Sequence, residues 1–358
     1  MTLGTPPQPF RAVIDISSPD VIVTSSKCSK ERDPWSEICN RGHYQYHPTW
    51  SKTGTPSNKL FVHECPVMAY YARVTRDSFS IAGIEVEDQG FHEALDILTP
   101  PIGKLMDAWD GVLGLAIDDG QSPVGLKGPF TNMIKRGLVD SAIVSIMLGR
   151  WNEDIWLVPG EIAFGGVNED LIKPNTSIRF LPVSNRTDSP ESPFAVLNST
   201  WQVEAQSVGF TWFNKTSGEN ETIHHELPLE TGTARFDTAM PSIALPRAVA
   251  DELAKIAKPR FHDPEYWTTI PCNRVPSLPA LVFKLGGEEF VLPPEDYVLE
   301  GINGRDCQER GLFMLGSAFL RSYYVVLDRE RRNIGFGEPA WRDWLRKREN
   351  SAGRKVPS

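Results

Sequence analysis

Two aspartates occupy matching settings in this chain. Asp15 follows an apolar approach in Val13-Ile14-Asp15-Ile16-Ser17-Ser18, and Asp237 follows one in Ala234-Arg235-Phe236-Asp237-Thr238-Ala239. Downstream of each lies an apolar-apolar-Gly segment, Gly111-Val112-Leu113-Gly114 and Phe313-Met314-Leu315-Gly316, at separations of 99 and 79 residues. A repeat on this scale means two related lobes rather than a solenoid of short units. One carboxylate from each lobe is the residue type for general acid–base work. His63 and Cys65 stand two residues apart, so on a strand both face the same side, where thiol and imidazole could act as nucleophile and base. No third orienting group accompanies them, and a buried or intermolecular thiol is the plainer reading. His224-His225 has no metal-ligand spacing around it and reads as surface histidine. No phosphate-cradling glycine motif and no Gly-x-Ser-x-Gly elbow occur, so no metal and no cofactor are expected.

The elements that position these residues are mostly strands. Segments 12–24, 60–71 and 79–91 are rich in β-branched and aromatic residues and are broken by Gly, Pro and Ser. Ala12 to Asp15 and Pro19 to Val23 read as two strands flanking a tight turn. Apolar residues at 130, 133, 134 and 138 predict a short amphipathic helix closed by Gly137. A second helix is predicted from Arg247 to Lys258, after Pro246 and before Pro259. The 28 glycines and 29 prolines fit many short strands and turns.

The 358 residues suggest about two domains. Hydrophobic residues make up 40% and charged residues 23%, which is ordinary for a globular chain. With 37 Lys and Arg against 46 Asp and Glu, the net charge of -9 disfavours nucleic acid as a partner. No apolar run is long enough to span a membrane. Asn-x-Ser/Thr sequons at Asn175, Asn185, Asn198, Asn214 and Asn220 cluster in one polar stretch, which points to a glycosylated surface and the secretory pathway or the extracellular space. The opening Met1-Thr2-Leu3-Gly4 holds no leader of its own.

Nine ordered segments carry a family resemblance over nearly the whole chain: Leu3 to Phe10, Asp15 to Ser18, Asp110 to Leu115, Gly160 to Gly166, Trp201 to Val203, Asp237 to Ala239, Leu278 to Phe283, Phe313 to Asp328 and Ile334 to Gly337. Together they resemble a pepsin-like aspartic peptidase. The resemblance implies a mainly β, bilobal fold with a cleft between two related lobes. These are an N-terminal lobe over 1–175 with Asp15 and the flap, a C-terminal lobe over 176–340 with Asp237, and a basic tail over 341–358. It also implies residues preceding Thr2. The tail reads as a solvated extension, or as the approach to a linker or anchor.

In such a family Asp15 and Asp237 are the catalytic pair: two close carboxylates share one proton, the charged one acting as base on a water and the protonated one polarising the carbonyl. The surrounding residues depart from the family pattern. Ile16 stands where a threonine is usual, while Thr238 keeps it. Ser17 and Ala239 replace glycines. Ser18 keeps the hydroxyl that holds the first aspartate, and Met240 cannot do so for the second. In the flap, Cys65 falls on the tyrosine position and the tip becomes Pro66-Val67-Met68-Ala69. Tyr70 or Tyr71 could take the tyrosine's role only if the hairpin were shortened, and the partner tryptophan's place holds Ile22. Cys28 with Cys39 and Cys272 with Cys307 fit the family's disulfides, leaving Cys65 over; sequence alone allows 15 ways to pair four of five cysteines.

A kept carboxylate pair beneath an altered flap reads as a dyad enzyme turned toward a small-molecule or otherwise non-standard substrate, by cyclisation, dehydration or isomerisation. Two alternatives stay open: an acid-active secreted aspartic endopeptidase, and a non-catalytic binding protein of the same fold. The expected partner is a substrate or ligand in the interlobe cleft. A monomer is the expected state.

Overall fold

The structure is a computed structural model. It describes residues 1–28, 39, 43–65, 68–98, 110–118, 124–152, 155–185, 201–213, 222–240, 242–259, 261–262, 268–270, 272–298, 302–303 and 312–341. The fold is mainly β, as expected. The chain divides into two compact units, one holding Met1–Val139 and the other Asp140–Arg186 with Trp201–Ser358. The division expected after residue 175 does not coincide with this one. The reason is strand pairing: Ile143–Met147 hydrogen-bonds to Tyr324–Asp328, and Glu161–Phe164 pairs in turn with Ile143–Met147.

The first unit is built on one sheet. Its longest strands, Met68–Ile81 and Ile84–Leu98, pair through a two-residue turn at Ala82 and Gly83. Both turn residues have positive φ, 51° and 78°, which suits the right-handed strand twist. Ala12–Asp15 and Val21–Thr24 are strands, but they are not hairpin partners. Gly111–Gly114 lies between them, parallel to the first and antiparallel to the second. Likewise 60–71 is not one strand. Thr55–Cys65 and Met68–Ile81 fold back on each other, with Cys65 opposite Met68.

The second unit repeats the plan. Thr222–Phe236 runs parallel to Leu312–Leu315, and Ile243–Ala244 pairs antiparallel with the same strand. Behind them Phe236, Phe283, Phe290, Phe319 and Phe336 are all buried at 1% exposure or less. Their ring centroids lie 5.1–6.1 Å apart, largely edge to face. The predicted helices form at Pro129–Lys135 and Arg247–Ala257. Gly137, at φ 64°, turns the chain out of the first, and Val249, Leu253 and Ala257 give the second its buried stripe.

Candidate active site

Asp15 ends its strand directly opposite Gly114 of the parallel neighbour. The register is locked four residues upstream. The Arg11 guanidinium donates to both oxygens of Asp110, at 3.1 and 3.0 Å, and the Arg11 amide adds a 2.7 Å bond. Burial works to raise the Asp110 carboxyl, but the Arg11 bonds and the Tyr44 amide outweigh it and hold the group below the usual aspartate range. Past Asp15 the chain turns tightly. The Leu115 amide donates to the Asp15 carbonyl, Ala116 to that of Ser18, and Gly114 to that of Asp20. Only glycine fits at 114, because a Cβ there would press on the Ser18 carbonyl oxygen and on the Asp20 backbone.

Asp237 has the equivalent setting. It follows Phe236, which pairs with Leu315, so Asp237 stands level with Gly316. Its amide donates to the Leu315 carbonyl at 3.3 Å, and the Ser317 amide donates to Met240 at 2.7 Å. A Cβ on Gly316 would strike the carbonyl oxygens of Ser242 and Met240. The duplication read from sequence is therefore a duplication of geometry, with strand, aspartate, turn and opposing glycine in each unit.

Each carboxylate is held by the residue two positions on. Asp15 Oδ1 accepts from the Ser17 amide at 2.7 Å and from the Ser17 hydroxyl at 2.6 Å. Asp237 Oδ1 accepts from the Ala239 amide at 2.8 Å. Asp15, Asp237 and Thr238 are half-buried, whereas Ile16 is wholly buried.

The hairpin over 55–81 carries the remaining candidates. His63 pairs with Tyr70 and Cys65 with Met68. Met68 and Ala69 are thus strand residues, not part of a four-residue tip, and Pro66 and Val67 lie outside the described residues. Tyr70 is buried against Ile22, Ala72, Ala94 and Val112. Its hydroxyl meets His92 Nδ1 at 2.7 Å, and His92 Nε2 faces Asp20 Oδ1 at 3.8 Å. Tyr71 is half-buried. This buried Tyr70–His92–Asp20 chain joins the hairpin to the turn after Asp15. Sequence reasoning missed it: His92 has no motif around it, and only strand pairing brings it beside Asp20.

The family model for eukaryotic aspartyl protease matches residues 1–339. The chain belongs to the eukaryotic aspartyl protease family. Over 94% of its length it is 30% identical to vacuolar protease A of Neurospora crassa and to cathepsin D of Homo sapiens, covering 76% and 79% of those proteins. It is 27% identical to cathepsin D of Dictyostelium discoideum over 94% of this chain and 81% of that one.

For an aspartyl protease, the first aspartate loop is held in an unexpected way. Ser18 was expected to bond Asp15, but its Oγ accepts the Asp20 amide at 3.3 Å, and the hydroxyl on Asp15 comes from Ser17. Ile16, at the position where the family has a threonine, is wholly buried. Tyr70 packs with Ile22, the residue at the position where the family has its tryptophan, and its hydroxyl meets His92. Cys28 and Cys39 are joined as expected. Cys272 opens a 3₁₀ turn, and its side chain lies outside the described residues, as does Cys307. Asn175 and Asn185 are exposed, Asn175 at a turn with φ 64°; Asn198, Asn214 and Asn220 lie outside the described residues.

Proposed function

We propose that this chain is an acid-active aspartic endopeptidase of the secretory pathway, with Asp15 and Asp237 as its catalytic pair. The observation that carries the reading is the repeated setting of the two aspartates, each at the end of a strand opposite a glycine that admits no side chain. Family membership along the chain and relatives named as proteases favour peptide hydrolysis over the small-molecule chemistry suggested by the altered hairpin. The two-lobe division of the sequence, with one aspartate per lobe, belongs to this proposal. So do the Cys272–Cys307 bridge, glycans at Asn175 and Asn185, and a vacuolar location like that in one relative's name.

The reaction needs only carboxylates and water. The ionised aspartate takes a proton from water as the water oxygen bonds to the scissile carbonyl carbon. The carbonyl π pair moves onto its oxygen, which receives the proton of the other aspartate. The resulting gem-diol collapses as the C–N bond breaks. The amine nitrogen takes the proton gathered from water, and a diol hydroxyl returns a proton to the second carboxylate. Net, water and an amide become an acid and an amine.

Digestion of an acid-denatured protein, followed by mass spectrometry, tests this. Cleavage is expected in the acid range, with inhibition by a statine-containing peptide. Asp15→Asn or Asp237→Asn is expected to slow it at least about 10²-fold. A mature protein that cuts nothing between about pH 2 and pH 7, where a carboxylate pair shares its proton, would overturn the reading.

A further inference from the structure

Tyr70, His92 and Asp20 come from three separate stretches of the first unit, and all three are buried, at 1%, 0% and 5% exposure. Tyr70 lies in Met68–Ile81, two residues from the point where Met68 pairs with Cys65. Asp20 lies in the turn after Asp15, where its amide donates to Ser18 Oγ at 3.3 Å and its carbonyl accepts the Gly114 amide at 3.0 Å. His92, on Ile84–Leu98, stands between them, and the two sides of its ring are held differently. Nδ1 meets the Tyr70 hydroxyl at 2.7 Å, a hydrogen bond that a neutral ring can make. Nε2 stands 3.8 Å from Asp20 Oδ1, beyond hydrogen-bond range, so what acts across that gap is charge, and it acts in full when the ring is an imidazolium. Phe61 sets its ring against the imidazole at 4.8 Å, and Ile22 and Val74 are the cross-strand neighbours of His92. Glu93, next along the strand, is bonded by Arg73, Ser25 and Thr75, and Asp96 lies opposite Tyr71. In so buried a setting a pair of charges is screened little by salt.

We propose that His92 is a positioning residue for Asp15, joining the hairpin to the aspartate turn when its ring is charged and loosening that joint when the ring is neutral. The proposal rests on the endopeptidase reading above and adds a source of acid dependence separate from the aspartate pair. In acid the ring takes one proton from solvent. As an imidazolium it donates Nδ1–H to the Tyr70 oxygen and holds the Asp20 carboxylate with Nε2–H. Near neutral pH it returns the proton, and the Asp20 side of the joint goes slack. His92 acts on Asp15 through Asp20 and the backbone of the turn.

The experiment is a ¹⁵N imidazole titration of histidine-labelled protein, with kcat/KM on a fluorogenic peptide followed across the same pH range. The resonance lost in His92→Gln is assigned to His92. It is expected to gain its proton between about pH 8 and pH 5. Asp20→Asn, which keeps the shape and removes the charge, is expected to lower that titration by about one pH unit. His92→Gln is expected to reduce kcat/KM about tenfold in acid, with the deficit shrinking as the ring of the unaltered protein loses its proton. A merely structural part would give the same deficit at every pH. Asp20→Asn is expected to show the same dependence, and the double variant to lose no more than either single one. Should His92→Gln not fold, Asp20→Asn read against the unaltered protein carries the same test. A His92 ring that stays neutral into acid, a titration that ignores Asp20→Asn, or a deficit that does not change with pH would overturn the proposal. Should the protein cleave no peptide while His92 charges and follows Asp20, the endopeptidase reading fails and the joint between hairpin and turn stands.

Discussion

Replacing Gly114 by alanine tests how tightly the first aspartate loop is built. The added Cβ would sit 2.5 Å from both the amide nitrogen and the carbonyl oxygen of Asp20, and against the Ser18 carbonyl oxygen. Ordinary contact needs about 3.5 Å, so the chain over 18–20 must retreat by about 1 Å. Every atom it meets is backbone, and the Gly114 and Ala116 amides are bonded to that same backbone, so no side chain can swing aside to absorb the clash. Overpacking of this kind costs about 3 kcal/mol. A displacement of about 1 Å beside a reacting carboxylate costs on the order of 10² in rate. Both are measured on one preparation, by denaturant unfolding and by kcat/KM on a fluorogenic peptide. Gly83→Ala is the comparison. It also has positive φ, 78°, but nothing lies within 4 Å of its Cβ. It is expected to cost about 1 kcal/mol from backbone strain alone, with no change in rate. A Gly114→Ala protein with the stability and rate of its parent would refute the account of the loop.

Three further outcomes are expected. Burial works to raise Glu93, but bonds from Arg73, Ser25 and Thr75 outweigh it and hold the group below the ordinary glutamate value of 4.5. Because the folded value is depressed, its contribution is fully present above that pH and is lost as pH falls through the folded value. Glu93→Gln is therefore expected to cost about 3 kcal/mol at neutral pH and progressively less in acid, as read from unfolding curves across pH; an equal penalty at every pH would contradict the sign. Tyr70→Phe removes the hydroxyl that meets His92 at 2.7 Å while keeping the ring, and is expected to cost about 1–2 kcal/mol in denaturant unfolding. Removing the Cys28–Cys39 bridge, which closes a loop of sequence separation 11, is expected to cost up to about 3 kcal/mol, measured on the double serine variant.

What the sequence reveals and what it hides divide along the range of the interactions. Both helices are legible because their signals are local: Pro246 and Pro259 bracket one, and Gly137 closes the other. The two aspartates are legible because the duplication repeats them in context. Strand partnership is not. Ala12–Asp15 and Val21–Thr24 look like a hairpin because they are close in sequence, yet the strand between them arrives from residue 111. The pairing of Cys65 with Met68 is hidden because apolar residues run through this stretch of sequence without a glycine. The hydroxyl on Asp15 was assigned to Ser18 by family position. The turn instead points Ser17 at the carboxylate, and Ser18 at Asp20. His92 and Asp20 carry no local signal, since each takes its meaning from the other.

The parallel pairing that seats each aspartate has a kinetic consequence. Asp15 meets Gly114 across 99 positions, and Phe236 meets Leu315 across 79. Contacts of such long range cost loop-closure entropy before they return any stabilisation, and they form late and slowly. During synthesis, Asp15 has no seat until the chain has grown past residue 114, and Asp237 none until it has grown past 315. A chain stopped short of either point carries a carboxylate without its turn. With the two aspartates as the proposed catalytic pair, competence comes at the end of folding, and a nascent or half-folded molecule is unarmed.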